Sequence, residues 1–514
     1  MRWERSPLPI IRIGSTGNGH NTLVVSGGPL INEGTLDAAD ARSQAKYIQA
    51  ELDNRGDLTN GTPGAMRLTM PGVEHLNSGE ILLSRGGLVV AAGSTLVNVE
   101  GGVITCTGSA TFSATGLMPN GLWFTNRGLV KVATPDVVLT ITNPSGRHIQ
   151  NDPTGIFRAA AGALVINNGG TLHNDGPWTV EPDARFLILQ NFPDNYDENE
   201  RRWTSGRLTV HGPGEFCLPL PNTMLTLGAK LHCISEVAVC TQGGMPDPFK
   251  DLERIEETGH FILDDMDMPT AGDFQNDNVL ELVNGATMTV PGRFRQTAGR
   301  TNLDQGKLAA DVIEIDSGEV TGDGEVEGDV LNHAGQIEPG GAGVPGRCRF
   351  AQGYTHGQAA RLSIDIGGLT PESEHDVMDV AGDAALDGSL ELLLIDEFEP
   401  QVGDTFAVLT FGARSGEFER VSMPCGYEFA VHYNANDVTL EVTGVGVPYP
   451  GDFDGDCDID LDDYRRVAAC LAGPGVEDPP KECGPDDFAA ADLDADRDVD
   501  LSDVDDFINR FTGP

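Results

Sequence analysis

A twelve-residue acidic loop near the C-terminus, repeated forty positions later, places carboxylates where their oxygens can wrap one hard cation. The first copy is Asp452-Phe453-Asp454-Gly455-Asp456-Cys457-Asp458-Ile459-Asp460-Leu461-Asp462-Asp463. The second is Asp492-Leu493-Asp494-Ala495-Asp496-Arg497-Asp498-Val499-Asp500-Leu501-Ser502-Asp503. Aspartates fall at loop positions 1, 3, 5, 7, 9 and 12 of the first loop, and the second keeps the pattern. In such a loop positions 1, 3 and 5 offer side-chain oxygens, 7 a backbone carbonyl, 9 often a water, and 12 a bidentate carboxylate. That donor set suits calcium. The predicted ligands are Asp452, Asp454, Asp456, Asp458 and Asp463 for one ion. Asp492, Asp494, Asp496, Asp498 and Asp503 are predicted to hold a second. The branched residues at position 8, Ile459 and Val499, are predicted to pair the loops as a short strand.

Each loop needs an element to hold it. Tyr464, Val467, Ala468 and Leu471 follow the first, and Val504, Phe507, Ile508 and Phe511 the second. Both sets are spaced i, i+3, i+4, i+7, the apolar face of a helix. The tail is therefore a duplicated loop–helix unit whose half-cores can pack face to face.

On these residues the tail resembles a type I dockerin module, in which two EF-hand-like loops each keep only the exiting helix. The resemblance implies a module that calcium folds and that docks onto a cohesin-like protein through residues 452–514. Two features depart from the family pattern. Position 6, a glycine in the family, is Cys457 or Arg497. A non-glycine residue in a left-handed turn costs on the order of 1 kcal/mol. Positions 10 and 11, commonly Ser or Thr, are Leu461-Asp462 and Leu501-Ser502.

Charge and cysteine usage set the surroundings. The 514 residues carry 33 Lys+Arg against 79 Asp+Glu, a formal charge of −46. Such an excess argues against a nucleic-acid partner and favours solubility and cation binding. Nine cysteines are present. Cys470 and Cys483 bracket a Gly/Pro-rich loop and are expected to bridge, and Cys233 and Cys240 are close enough in sequence to pair, with Cys217 nearby. Disulfides and calcium loops both point to an extracellular or cell-surface location. No stretch approaches the roughly 20 apolar residues of a membrane span. Met1–Ile11 is too short for an apolar signal core, so a processed chain or a misplaced start is expected.

The first 450 residues are poor in helix signals, with exceptions near Ala38–Glu51 and Phe249–Glu257. Asn-x-Gly recurs after an apolar residue at Asn32, Asn54, Asn126 and Asn174, with Asn77-Ser78-Gly79 among them. These asparagines step by 22, 23, 49 and 48 residues, a period of about 22–25 with one step hidden in each long gap. Short strands at that period read as a solenoid. The predicted fold class is mainly β: a right-handed parallel β-helix body with a small helical calcium-binding C-terminal domain. Asn and Gly would take left-handed corners, and inward Asn could form a ladder. Residues 300–445, with Gly322-Asp323-Gly324 leading to Asn332-His333-Ala334-Gly335-Gln336-Ile337-Glu338-Pro339-Gly340, resemble the late repeats of autotransporter-type β-helix passengers. The expected layout is repeats over 1–183, an insertion over 184–262, and repeats with a β stem over 263–441. A linker over 442–451 and the calcium domain over 452–514 complete it.

No GxSxG, HExxH or P-loop is present. Asp264-Asp265-Met266-Asp267 reads as a solvated turn, Arg201-Arg202 and Arg293/Arg295 as ion-pairing groups, and His333 as a corner residue. No catalytic residue is assigned. Trp178, Tyr196, Trp203 and Tyr354 could form a sugar platform, with Trp203 the foremost, though Trp203 is more simply read as packing the insertion onto the solenoid. Two functions remain. One is a structural or adhesive surface protein. The other is a polysaccharide-degrading component, hydrolase or lyase, carried on a docking module. An extracellular polysaccharide is a candidate partner of either.

Overall fold

The computed structural model describes residues 10–12, 21–26, 28–38, 45–91, 93–115, 121–219, 223–235, 237, 248–446, 451–453 and 459–511. The chain divides into two compact units, residues 1–336 with 348–355 and residues 337–347 with 356–514.

The first unit is a parallel β-helix. Short strands follow one another around each coil, and every coil stacks on the one before. One sheet runs from Ile10–Arg12 to Glu319–Gly322, a second from Asn21–Val24 to Glu215–Cys217, and a third from Leu30–Asn32 to Thr171–Asn174. Neighbouring strands are parallel and register residue for residue, as in Asp57↔Glu80↔Val103. Alternation puts one side of each strand inside: in Pro177–Val180, Trp178 and Val180 are buried. The core is a continuous aromatic and aliphatic column. Phe112 packs edge-on against Phe124 at 4.7 Å, and Trp178 packs near Phe186 at 5.0 Å.

An asparagine ladder runs up one inner corner. Asn32 donates to Asn54 (2.6 Å), Asn54 to Asn77 (2.7 Å) and Asn77 to Asn98 (2.7 Å). Asn98 then donates to Asn126 (2.8 Å), Asn126 to Asn151 (2.8 Å) and Asn151 to Asn174 (2.7 Å). The separations are 22, 23, 21, 28, 25 and 23 residues. Asn98 and Asn151 are thus the two steps hidden in the long gaps. From Asn32 to Asn151 each amide donates to its neighbour's oxygen, so these buried polar groups are satisfied without water, and only the terminal Asn174 Nδ2 has no such partner.

The ladder glycines are needed for a different reason than expected. Gly56, Gly79, Gly128 and Gly176 do not have positive φ. Instead, a Cβ on any of them would run into the carbonyl oxygen of the equivalent glycine one coil earlier. Close stacking of coils, not handedness, excludes a side chain there. The left-handed corners lie elsewhere, at Ser235, Asp265, Asn284 and Gln305, with φ of 57, 51, 53 and 59° on successive coils.

Residues 184–262, read above as an insertion, keep the coil path. Arg185–Gln190 pairs with Ala163–Asn168, Arg207–His211 with Pro177–Val180, and Lys230–Ile234 with His260–Asp264. What changes is the third side. The antiparallel pair Tyr196–Asp197 and Arg202–Trp203 starts a new sheet that continues through Thr226–Leu227 and Arg254–Ile255. Neither expected helix is seen among the described residues: Lys46–Gln49 and Leu52–Asn54 are strands, and Phe249–Glu257 forms a turn and a strand. Further on, Asp267–Pro269 and Phe274–Asn276 both pair with one bent strand, Thr287–Gln296. Coils shorten to steps such as His260↔Val279 and Arg300↔Glu319 as two sides merge.

In the second unit Arg361–Ile366, Ser389–Leu394 and Arg420–Ser422 stack in parallel. Thr405–Thr410 and Tyr427–Tyr433 flank Asp437–Val445 antiparallel, which ends the parallel series. Helices α1 (Leu461–Cys470), α2 (Pro485–Ala491) and α3 (Leu501–Arg510) follow. No helix of the described residues is long and apolar enough to cross a membrane.

Candidate metal centre

The acidic loops end where α1 and α3 begin, and the same residues serve both. Asp460 caps α1 by accepting from Asp462 N (2.7 Å), and Asp500 caps α3 by accepting from Ser502 N (2.7 Å). Each helix has a complete capping box, with Asp463 or Asp503 reaching back to the cap backbone. Such reciprocal bonds satisfy helix N–H groups that otherwise have no partner. The two N-caps share one conformation, φ/ψ −129/−159° and −131/−158°.

Asp503 is fully buried. Its Oδ1 accepts from Leu493 N (2.6 Å) and Asp494 N (3.3 Å), and its Oδ2 accepts from Asp500 N (2.8 Å). Asp463 matches it, accepting from Phe453 N (2.6 Å) and Asp460 N (2.9 Å). The forty-residue duplication is thus a duplication of bonding as well as of sequence.

In the second loop Asp492, Asp494 and Asp496 turn toward one point, with ligand oxygens within 4.8 Å of one another. Backbone bonds orient them. Asp492 accepts from Asp496 N (3.0 Å) and Arg497 N (2.9 Å), and Asp496 accepts from Asp498 N (3.1 Å). Desolvation, and then the charges of Asp496, Asp503 and Asp492, raise the Asp494 carboxyl above its ordinary range. A cation among them would relieve that repulsion. Each carboxylate oxygen has two lone pairs, so the backbone bonds leave capacity for a metal. The donor set therefore fits a divalent metal ion. Asp498 turns differently. Its Oδ2 accepts from Gly475 N (2.6 Å), while Oδ1 is buried without a hydrogen-bond partner. Asp498, Asp500 and Asp503 nevertheless offer oxygens within 4.8 Å of one another. In the first loop Asp452 is described, but Asp454, Asp456 and Asp458 lie outside the described residues.

The expected strand between Ile459 and Val499 is not formed. Val499 O instead accepts from Ala472 N (2.9 Å) and Gly473 N (3.1 Å), just beyond α1. Ile459 packs with Val467 of its own half and Phe507 of the other. Val499 packs with Cys470, Cys483 and Phe488. The halves interlock through side chains, and the Cys470–Cys483 disulfide ties the end of α1 to a residue two positions before α2. The outer members of both predicted helix faces stay in solvent: Tyr464, Leu471, Ile508 and Phe511 are 39, 42, 59 and 42% exposed.

Arg497 takes the position where the family has glycine, and its φ is 80°. Arg497→Gly is expected to release about 1 kcal/mol of backbone strain, partly offset by a more flexible unfolded chain. Calorimetry should show tighter ion binding at this loop by a few-fold, and the same thermal midpoint as wild type would refute the strain.

The other candidates are not brought together. Trp178, Tyr196, Trp203 and Tyr354 are 0, 4, 2 and 2% exposed, so the expected sugar platform does not exist. Trp203 stands edge-on to Trp178 at 5.5 Å inside the coil. Arg201 pairs with Asp251, Arg202 with Glu256, Arg293 with Glu314 and Arg295 with Asp316. Asp265 and Asp267 are exposed. Cys233 keeps a buried thiol, while Cys240 lies outside the described residues. Cys217 is disulfide-bonded. One buried carboxyl pair was not foreseen. Asp365 accepts from Gly343 N (2.7 Å), and Asp376 accepts from Gly346 N and Asp365 N (both 2.8 Å). Burial pushes Asp376 up to about 8. The pair fastens the Gly340–Gly346 turn.

No protein-family model matches this sequence, and no curated protein matches it.

Proposed function

We propose that residues 452–514 form a calcium-folded docking module and that the β-helix is a structural or adhesive stem at or outside the cell surface. The observation that carries this is the second loop, where Asp492, Asp494 and Asp496 converge beside the buried Asp503. Oxygen-only ligands at this spacing favour calcium over softer metals, and the duplication argues for two ions. Docking is supported by the surface. Leu461 and Leu501, forty residues apart at the starts of α1 and α3, are 65 and 74% exposed, and Ile508 is 59% exposed. These exposed apolar side chains, repeated in both halves, are the surface proposed to meet a partner. A cohesin-like protein is the proposed partner. The alternative, a polysaccharide-degrading component, loses the aromatic platform that would have favoured it.

Calcium titration of the full chain tests the reading. Calorimetry should count two ions, and circular dichroism should show the helix signal reduced and its melting temperature lowered on chelation, both restored by calcium, while the strand signal stays constant. The absence of binding at millimolar calcium would overturn it.

A further inference from the structure

One face of the first unit runs against the charge of the chain. On the outer side of the first sheet, the register places Arg207 beside Lys230, Lys230 beside His260, His260 beside Val279, and Val279 beside Arg300. His232 lies in the next column, on the same strand as Lys230. Adjacent strands are about 4.8 Å apart, so five successive coils present four basic side chains in one line. These groups share a field. Burial, and after it the charges of Lys230 and His211, disfavour protonation of His232 against the pull of Asp264, and His260, Arg300 and Lys230 together hold Glu281 ionised. Asp264 lies 3.5 Å from His232, and Glu281 lies 3.2 Å from His260 and 3.7 Å from Arg300, while Glu319 follows Arg300 in the register and ends the basic line. Arg207 and Lys230 make no ion pair among the described residues. Elsewhere on the stack arginines find carboxylates, as in Arg127–Asp152 and Arg254–Asp277. With 79 acidic residues against 33 basic, two neighbouring cations without a carboxylate at ion-pair distance are an exception.

We propose that this line of side chains binds an acidic polysaccharide, a polyuronate lying along the coil stack with successive carboxylates on Arg207 and Lys230. The spacing of the coils is close to the length of one sugar ring, so cations on successive coils can meet carboxylates on successive sugars. Arginine holds a carboxylate through two parallel hydrogen bonds. Thr209 and Asn302, in the column beside, offer neutral groups for sugar hydroxyls. A single-stranded nucleic acid would call for aromatic platforms, and the aromatic rings of these coils, Trp178, Trp203 and Phe261, are buried. The site is independent of the calcium module.

The test is retardation of the full chain in gels containing polygalacturonate, its carboxyl-reduced neutral form, or polyglutamate. Each gel is run with calcium and with chelator, because calcium can bridge two acidic polymers. The variant is Arg207→Ser/Lys230→Ser, both side chains reaching solvent, with its fold checked by circular dichroism. Lys307→Ser, which removes a cation paired with Glu325 and Glu327 on another sheet, is the control. The expected result is retardation by polygalacturonate alone, persisting in chelator and unchanged in the control. The double variant should weaken binding about tenfold or more, as fits loss of two charge-assisted contacts. No retardation, retardation only with calcium, or equal retardation of the double variant would overturn the proposal. Equal binding of polyglutamate would overturn the assignment to a saccharide.

Discussion

Asp503→Ala should bind one calcium ion where the wild type binds two, and should unfold α3 at lower temperature even in chelator. The reason is that Asp503 has two jobs. It is the proposed position-12 ligand, and it accepts backbone hydrogen bonds from Leu493, Asp494 and Asp500 while fully buried. Alanine would strand those donors, at about 1–3 kcal/mol for each buried group left without a partner. It would also remove half of the capping box of α3. Asp463→Ala should do the same in the other half, where Phe453 and Asp460 are the donors. Asp494→Asn supplies the contrast. Asp494 is exposed, and its neighbours' charges already disfavour its ionised form. Losing that charge should stabilise the ion-free loop slightly and weaken ion binding about tenfold or more, since affinity in such loops follows ligand charge. Melting in chelator and in calcium separates the two. If Asp494→Asn stabilises the module equally in both, the carboxylates do not hold a metal.

What could be seen in the sequence depended on how far apart the relevant residues lie along the chain. The acidic loops are local, so their spacing could be read directly, and so could the helices that follow. The coil period could be read wherever the corner kept the Asn-x-Gly form. Asn98 and Asn151 escaped because their corners hold more residues before the glycine that stacks on the next coil, Gly102 and Gly155. The inward side of a strand could be inferred from alternation, yet Trp203 could be read as packing but not placed inside the coil, because its coil has a short antiparallel pair in place of a regular third side. The glycine column shows another limit: a close approach between chains one coil apart leaves no local mark. The basic line was hidden for the same reason. Arg207, Lys230, His260 and Arg300 come together only through coils of unequal length, whose register no simple period predicts.

The asparagine ladder makes a prediction of similar size in the first unit. Asn98 is fully buried, accepts from Asn77 and donates to Asn126. Asn98→Ala would leave a donor on one side and an acceptor on the other, both buried, for a loss of about 2–5 kcal/mol. Asn32→Ala, at the end of the ladder, strands only the acceptor of Asn54 and should cost about half as much. The consequence goes beyond the mutated coil. In a stack each coil touches only its neighbours, so stability is close to a sum of coil and interface contributions. A weak interface at Asn98 should let the coils before it open before those after it. Thermal unfolding should then broaden or split, and hydrogen exchange should rise first in Asn54–Asn77 and later beyond Asn126. A single sharp transition, with the Asn98 and Asn32 variants equally stable, would mean that the amides ladder without contributing to stability. The coils would then be held by the aromatic and aliphatic core alone.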